Sequence, residues 1–318
     1  PSKLPAARPK RNVEVSPCLG IAATSSTAER GSGDAASEAV AEDGTDMASP
    51  SSSTVARADY GRGHPRGAVS ITLVKPFVQI ATRPEDDVAA TEREAVLDFT
   101  GLTEEQRIWA RLDRDPFPDI AAADISGIIL CGSPFTVSDP AETKTAAQVR
   151  AEAEIFRVLD QVIAHDIPFL GACYGIGTLG THQGALIDRT HGEPLGAVEV
   201  ALTGAGRQDP LIREAALPER FTGLVGHKEA VHTLPEHATV LAAGTSSPVQ
   251  MFRVGTRQYA TQFHPELDVP SIIERARVYR DHGYFSPDEM EDVFDALRGQ
   301  DADHPPRLLR AFATLFAR

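Results

Sequence analysis

The chain has 318 residues, 42% of them hydrophobic and 24% charged, which is enough apolar material for a sizeable core. Lys and Arg number 31 against 45 Asp and Glu, so the net charge is −14 and a general nucleic-acid or anionic-membrane binder, which needs a positive field, is disfavoured. No apolar run approaches the ~18 residues of a membrane-spanning helix, and the three cysteines Cys18, Cys131 and Cys173 form no C-x-x-C pair, so a disulfide scaffold or zinc ribbon is disfavoured and a reducing, cytoplasmic setting is the default.

Residues 1–70 read as a disordered tail. Runs such as Ser25-Ser26-Thr27 and Ser51-Ser52-Ser53-Thr54 cannot bury enough apolar surface to offset their chain entropy. The tail holds eight Lys and Arg and eight Asp and Glu, so the whole negative charge belongs to residues 71–318. Lys3, Arg8, Lys10 and Arg11 make a basic start, but no apolar stretch follows. A targeting segment, a linker and a start-site artefact all stay open.

From residue 71 the texture is that of a single domain ending at 318. Ile71–Ile80 is β-branched and predicts a first strand, with Pro76 able to delay its start to Phe77. Thr103-Glu104-Glu105-Gln106 has capping-box spacing and predicts a helix with Ile108, Trp109 and Leu112 on its face. Ile125–Leu130 predicts a buried strand closed by the turn Cys131-Gly132-Ser133-Pro134. A helix is expected over 145–165, with Ile155, Val158, Leu159, Val162 and Ile163 at helical spacing. Asp166–Gly171 is the next strand. Residues 197–202, 239–243, 249–254 and 258–263 add further strands, and 272–279, 287–297 and 306–316 read as helices. Strands alternating with helices argue an α/β fold with a mostly parallel sheet. No internal repeat is present.

Three segments carry chemistry. Gly171-Ala172-Cys173-Tyr174-Gly175 follows a strand and forms a G-x-C-x-G version of the nucleophile elbow, which lifts the Cys173 side chain above the sheet at a helix N-terminus. Gln262-Phe263-His264-Pro265-Glu266 puts His264 and Glu266 two apart on an extended chain, so the carboxylate can orient the imidazole. Cys131-Gly132-Ser133-Pro134-Phe135 is a turn able to present the Ser133 N–H into a crevice. With the Tyr174 N–H it would form an oxyanion hole. The bland readings are a small buried cysteine, a surface His beside a surface Glu, and a plain turn.

These pieces, in this order, resemble the class I glutamine amidotransferases, the family with a Cys-His-Glu triad. Its pattern is a Gly-Gly-Pro turn, then G-x-C-x-G-x-Q, then a strand ending in H-P-E. Gly226-His227-Lys228-Glu229-Ala230-Val231 is also similar to its S-H-x-D-x-V segment, which helps line the glutamine site. The resemblance implies a flavodoxin-like three-layer sandwich, a mostly parallel central sheet with added antiparallel strands. It also implies Cys173 as nucleophile, His264 as base, Glu266 as orienter, and the Ser133 and Tyr174 amides as oxyanion donors. Gly132, Gly177 and His227 are the substrate-binding candidates, and no cofactor or metal is called for. Two departures stand out: Ser133 replaces the second turn glycine, and Gly177 occupies the place of the family glutamine, with Gln183 nearby but out of position.

The implied reaction is attack of Cys173 on a γ-glutamyl carboxamide through a thioester, releasing ammonia and glutamate. The alternatives are a γ-glutamyl peptidase, towards which the room opened at Gly177 tilts, and a non-enzymatic binding relative on the same scaffold. No phosphate loop or pyrophosphatase motif is present and 52 residues follow Glu266, so any ammonia acceptor is expected on a separate synthetase subunit. Residues 268–303 are expected to be a helical insertion that covers the site or binds a partner. Cys131 reads as a core thiol. Asp288, Glu289, Glu291 and Asp292 read as a solvated helix face, and His182, His191, His232 and His237 have no metal-ligand spacing.

Overall fold

The computed structural model describes residues 74–283 and 286–318. The segment expected to be a disordered tail lies outside these residues. A nine-stranded sheet forms the centre. Its first half contains β1 (Phe77–Ala81), β2 (Arg107–Arg111), β3 (Gly127–Leu130) and β4 (Phe169–Ala172). Between and after them come helices α1 (Asp86–Thr100), α2 (Ala146–Ala164) and α3 (Tyr174–His182). The second half is built from β6 (Glu193–Leu202), β7 (Arg220–His227), β9 (Ala238–Gly244), β10 (Met251–Val254) and β11 (Gln258–Thr261). A separate pair, β5 (Leu186–Asp188) and β8 (Ala230–Thr233), lies apart from the main sheet. A short α4 (Pro210–Glu214) precedes β7, and α5 (Val269–Val278), α6 (Met290–Arg298) and α7 (Arg307–Phe316) close the chain.

The strand order is β2-β1-β3-β4-β11-β10-β9-β6-β7. The first five strands pair in parallel, and antiparallel strands extend the sheet from β11 onward. This is the flavodoxin-like arrangement with an added antiparallel wing. Side chains alternate across the sheet. Phe77, Ile129 and Leu170 pack with α7 residues Leu308 and Phe312 on one face. Val78, Ile80, Ile128 and Leu130 pack with α2 and α3 on the other.

Most expected elements form. Pro76 stays outside β1, which starts at Phe77. Thr145 caps α2 by accepting from the Gln148 N–H at 3.1 Å. Ile155, Val158, Leu159 and Val162 are buried as predicted, whereas Ile163 turns to solvent. One reading needs correction. The box at Thr103 and Gln106 forms, but it closes only a 3-10 turn at Glu104–Gln106, and Ile108 and Trp109 then lie on β2 rather than on a helix face. Arg107 and Arg111 are buried and ion-paired there, which hides the strand's alternation. The helix of this region is α1. Its inner stripe of Val88, Ala89, Glu92 and Val96 carries a charge at its centre, and Gly101 ends it in the left-handed region at φ 71.

Within 268–303 the described residues form α5, a 3-10 turn at Pro287–Glu289 and α6. Leu267, Ile272, Ile273 and Ala276 pack with Phe294 and Leu297 of α6 and Leu224 of β7. Asp288, Glu289, Glu291 and Asp292 are exposed. Among the described residues, no helix is long and apolar enough to cross a membrane.

Candidate active site

The site lies where β4 and β11 end side by side. The two strands pair in parallel with Ala172 opposite Thr261, so the chain leaving each strand enters the same crevice. Cys173 sits between β4 and α3 with φ 47 and ψ −77, a left-handed value costing a non-glycine residue roughly 1–2 kcal/mol. Two backbone bonds hold it there: its N–H donates to Thr261 O at 2.7 Å, and its carbonyl accepts from Ile176 N at 3.0 Å. The elbow also needs Gly171, where an added Cβ would stand 2.7 Å from the Gly175 Cα.

His264 and Glu266 follow β11. The His264 Nδ1–H donates to Glu266 Oε1 at 2.7 Å, which leaves Nε2 uncommitted, with Cys173 near enough to the ring to act on its charge. Burial would push the imidazole down, yet the Glu266 carboxylate and Cys173 hold it up at about 9. Burial alone would raise Glu266, but His264 and then Arg275 draw it down to about 2. The pair therefore favours its charged form, the condition under which an imidazolium can deliver a proton.

Ser133 and Tyr174 flank the crevice. The Ser133 Oγ accepts from the Phe135 N–H at 3.0 Å and so fixes the turn. Among the described residues, neither the Ser133 N–H nor the Tyr174 N–H donates to an acceptor, so both are free for an oxyanion. The loop after Ser133 is tied down by a buried polar group. Gln148 donates to Thr136 O and Glu152, Lys144 donates to Val137 O and Glu152, and the Tyr174 hydroxyl donates to Glu152 at 3.3 Å. Burial, then Glu152, raises the Tyr174 phenol well above its ordinary range, so it stays a donor.

The expected room at Gly177 is absent. A Cβ there would stand 2.3 Å from Glu229 Oε1. The Glu229 carboxylate fills this space and accepts from Val137 N at 3.0 Å and Ser138 N at 2.7 Å. Burial raises Glu229 above the usual carboxylate range, against the pull of those two amides. Gln183 caps the far end of α3, where it bonds His182 and His237, and so does not substitute for the family glutamine. The His227 ring is occupied on both nitrogens, by Glu229 O at 2.8 Å and Glu193 Oε2 at 2.9 Å. Its side chain braces the β7 end, which leaves its backbone as the part able to meet a ligand.

Three charged residues escaped the sequence reading: Arg83, Glu92 and Arg275. Arg83 Nε donates to Glu92 Oε2 at 2.7 Å, and Arg275 reaches Glu92 at 3.2 Å and Glu266 at 3.5 Å. This buried chain of alternating charge runs directly to the His264–Glu266 pair. Cys131 lies beneath it, fully buried, with its thiol raised well above the ordinary range by burial and then by Glu92 and Glu266. The described residues contain no group of three or more His, Cys, Asp or Glu able to hold a metal ion.

Residues 108–271 match the family model described as glutamine amidotransferase class-I. Among curated relatives, the glutamine-hydrolyzing GMP synthase of Elusimicrobium minutum is 29% identical over 152 residues, covering 48% of this chain and 26% of that protein. The corresponding protein of Wolbachia pipientis is 26% identical over 149 residues, covering 45% and 26%. The chain thus spans about a quarter of the length of the curated relatives it matches. Among solved structures, a glutamine amidotransferase from Thermotoga maritima superposes with a TM-score of 0.61 at 16% identity, covering 76% of this chain and 98% of the other. A glutamine amido transferase from Methylobacillus flagellatus gives 0.55 at 15% identity, with 77% and 96% covered. These two likenesses are likenesses of fold.

Proposed function

The chain belongs to the class-I glutamine amidotransferase family, and from that premise we propose that it is a cysteine hydrolase that cleaves a γ-glutamyl carboxamide through a thioester. The observation that carries this reading is the buried 2.7 Å His264–Glu266 bond beside Cys173 on its strand–helix elbow. A scaffold used only for binding has no need of that set.

Cys173 attacks the side-chain carbonyl carbon. The N–H groups of Ser133 and Tyr174 take the developing oxyanion, each contributing roughly 3–4 kcal/mol to the transition state. His264 gives its proton to the departing nitrogen, and Glu266 keeps the imidazole oriented and charged. Water then attacks the thioester with His264 as base, and glutamate leaves. With glutamine as substrate the departing nitrogen is ammonia. The likeness to a quarter of the length of GMP synthases supports delivery of that ammonia to a synthetase partner. We place the reaction in the cytoplasm, with residues 268–303 as an addition to the domain on the His264 side of the site.

Purified protein given glutamine should release glutamate and ammonia in equal amounts. Cys173→Ala should abolish this while melting at the native temperature. Undiminished turnover in that variant would remove Cys173 from the mechanism.

A further inference from the structure

Two buried carboxylates beside the triad are each held through one oxygen. Glu92 Oε2 accepts from Arg83 Nε at 2.7 Å and from Arg275 Nη2 at 3.2 Å. Glu266 Oε1 accepts from His264 Nδ1 at 2.7 Å and from Arg275 Nη1 at 3.5 Å. Their other oxygens, Glu92 Oε1 and Glu266 Oε2, are buried and take no hydrogen bond among the described residues. From this arrangement we infer that Arg275 is a positioning residue for the reaction: carried in by α5, it bridges Glu92 to Glu266 and so fixes the carboxylate that orients His264. This inference rests on the hydrolase reading above and adds a residue from outside the stretch 108–271 that the family model matches.

A carboxylate tied at one oxygen by one hydrogen bond can pivot about that bond. An orienter that pivots orients nothing, so Glu266 needs a hold that does not come from His264 itself. Arg275 supplies it from a different element, nine positions along the chain. Its longer distance leaves the short bond on Oε1 to the imidazole. The other arm of its fork is anchored on Glu92, which Arg83 holds in turn. A planar guanidinium, with several donors in fixed directions, can span two carboxylates in this way, whereas an ammonium is a point charge.

The helix that carries Arg275 is itself pinned. Asp268 caps the start of α5 by accepting from the Ser271 N–H at 2.8 Å. Ile272, Ile273 and Ala276 hold its inner face against α6 and Leu224. At its far end the Tyr279 hydroxyl donates to Glu85 Oε2 at 2.6 Å, directly ahead of α1, the helix on which Glu92 lies. The Arg275 side chain is 10% exposed, so its charge is met by protein and not by solvent.

The charges close only with Arg275 in place. On the proposed mechanism Cys173 attacks as thiolate beside a His264 imidazolium. Arg83, Arg275 and His264 then carry three positive charges against three negative ones on Glu92, Glu266 and Cys173. Without Arg275 one buried negative charge is left uncompensated, and a carboxylate in that state takes a proton or turns away. Either response releases Glu266 from His264. Burial, then Arg83, lower the Arg275 guanidinium from its ordinary value against the pull of Glu92 and Glu266. Arginine keeps its proton under such pressure and lysine readily loses it.

The test measures hydrolysis of glutamine and γ-glutamylglycine, with melting temperatures, on the native protein, Arg275→Gln and Arg275→Lys. In Arg275→Gln kcat should fall roughly ten- to hundredfold, as on removal of the outer partners of metal-bound histidines. KM should stay within about twofold, because a residue acting through Glu266 touches no substrate. Arg275→Lys should retain the fold and lie between the two in kcat. In a Glu266→Gln background the further change Arg275→Gln should cost no additional kcat. Ile273→Ala loosens the same helix without touching a charge, so it should lower the melting temperature and leave kcat within about twofold. Native kcat in folded Arg275→Gln or Arg275→Lys protein would overturn the positioning role and leave the hydrolase reading intact, and so would an equal loss of kcat in Ile273→Ala. A native protein that hydrolyses neither substrate would overturn both.

Discussion

Gly177→Ala is the sharpest test of how the site is held. In a helix this exchange ordinarily stabilises by about 1 kcal/mol. Here the new methyl would stand 2.3 Å from Glu229 Oε1 and 3.1 Å from Val137 Cγ2. The carboxylate must swing away and give up the amides of Val137 and Ser138. Hydrogen bonds to a charged group are worth about 1.5–3 kcal/mol each, so two lost bonds less the helix gain leave a deficit of roughly 2–5 kcal/mol. For a domain of this size that lowers the melting temperature by roughly 5–15 °C. Calorimetry on Gly177→Ala, Glu229→Ala and the double variant reads the effect. Glu229→Ala should carry most of the loss, and adding Gly177→Ala to it should cost nothing further. A Gly177→Ala protein as stable as the native one would refute the reasoning, since it would mean Glu229 gives way freely.

Two further outcomes follow from the charges. His264 is raised from 6.5 to about 9, so its contribution to stability is complete below pH 6.5 and is lost as the pH climbs through about 9. Glu266 is lowered from 4.5 to about 2, so its contribution is complete above pH 4.5 and is lost as the pH falls towards about 2. Denaturant midpoints should therefore be highest between pH 4.5 and 6.5 and drop by pH 9.5, and Glu266→Gln should flatten that alkaline drop; an unchanged drop would detach His264 from Glu266. Iodoacetamide on the native protein should alkylate Cys173 and spare Cys131, which is fully buried with its thiol raised by burial. Peptide mapping that finds Cys131 modified first would contradict this packing.

The Cys173 elbow, the His264–Glu266 pair and the parallel character of the sheet were legible because each rests on neighbours in sequence. A glycine before Cys173, a two-residue step from His264 to Glu266 and a β-branched run are all local. Arg83, Glu92 and Arg275 were hidden for the opposite reason. Arg275 and Glu92 are 183 positions apart, and nothing near either one announces that it is buried. Once Glu92 is known to face inward, α1 becomes a regular amphipathic helix. Without that knowledge its stripe looks broken. The box at Thr103 misled in another way, because the same reciprocal bonds close a single turn or open a long helix. Gly177 suggested space, but the space is taken by Glu229 from a distant strand junction.

The pairing of β4 with β11 also sets a timetable. Ile167, just before β4, and Gln258, which opens β11, meet across 91 positions of chain. At a synthesis rate of roughly 5–20 residues per second, Cys173 is made several seconds before the strand that delivers its histidine. Until β11 inserts between β4 and β10, the cysteine has neither its base nor the Thr261 carbonyl that holds its backbone. On the proposed mechanism the nascent protein therefore carries a silent thiol until one of the last strands of the sheet has docked.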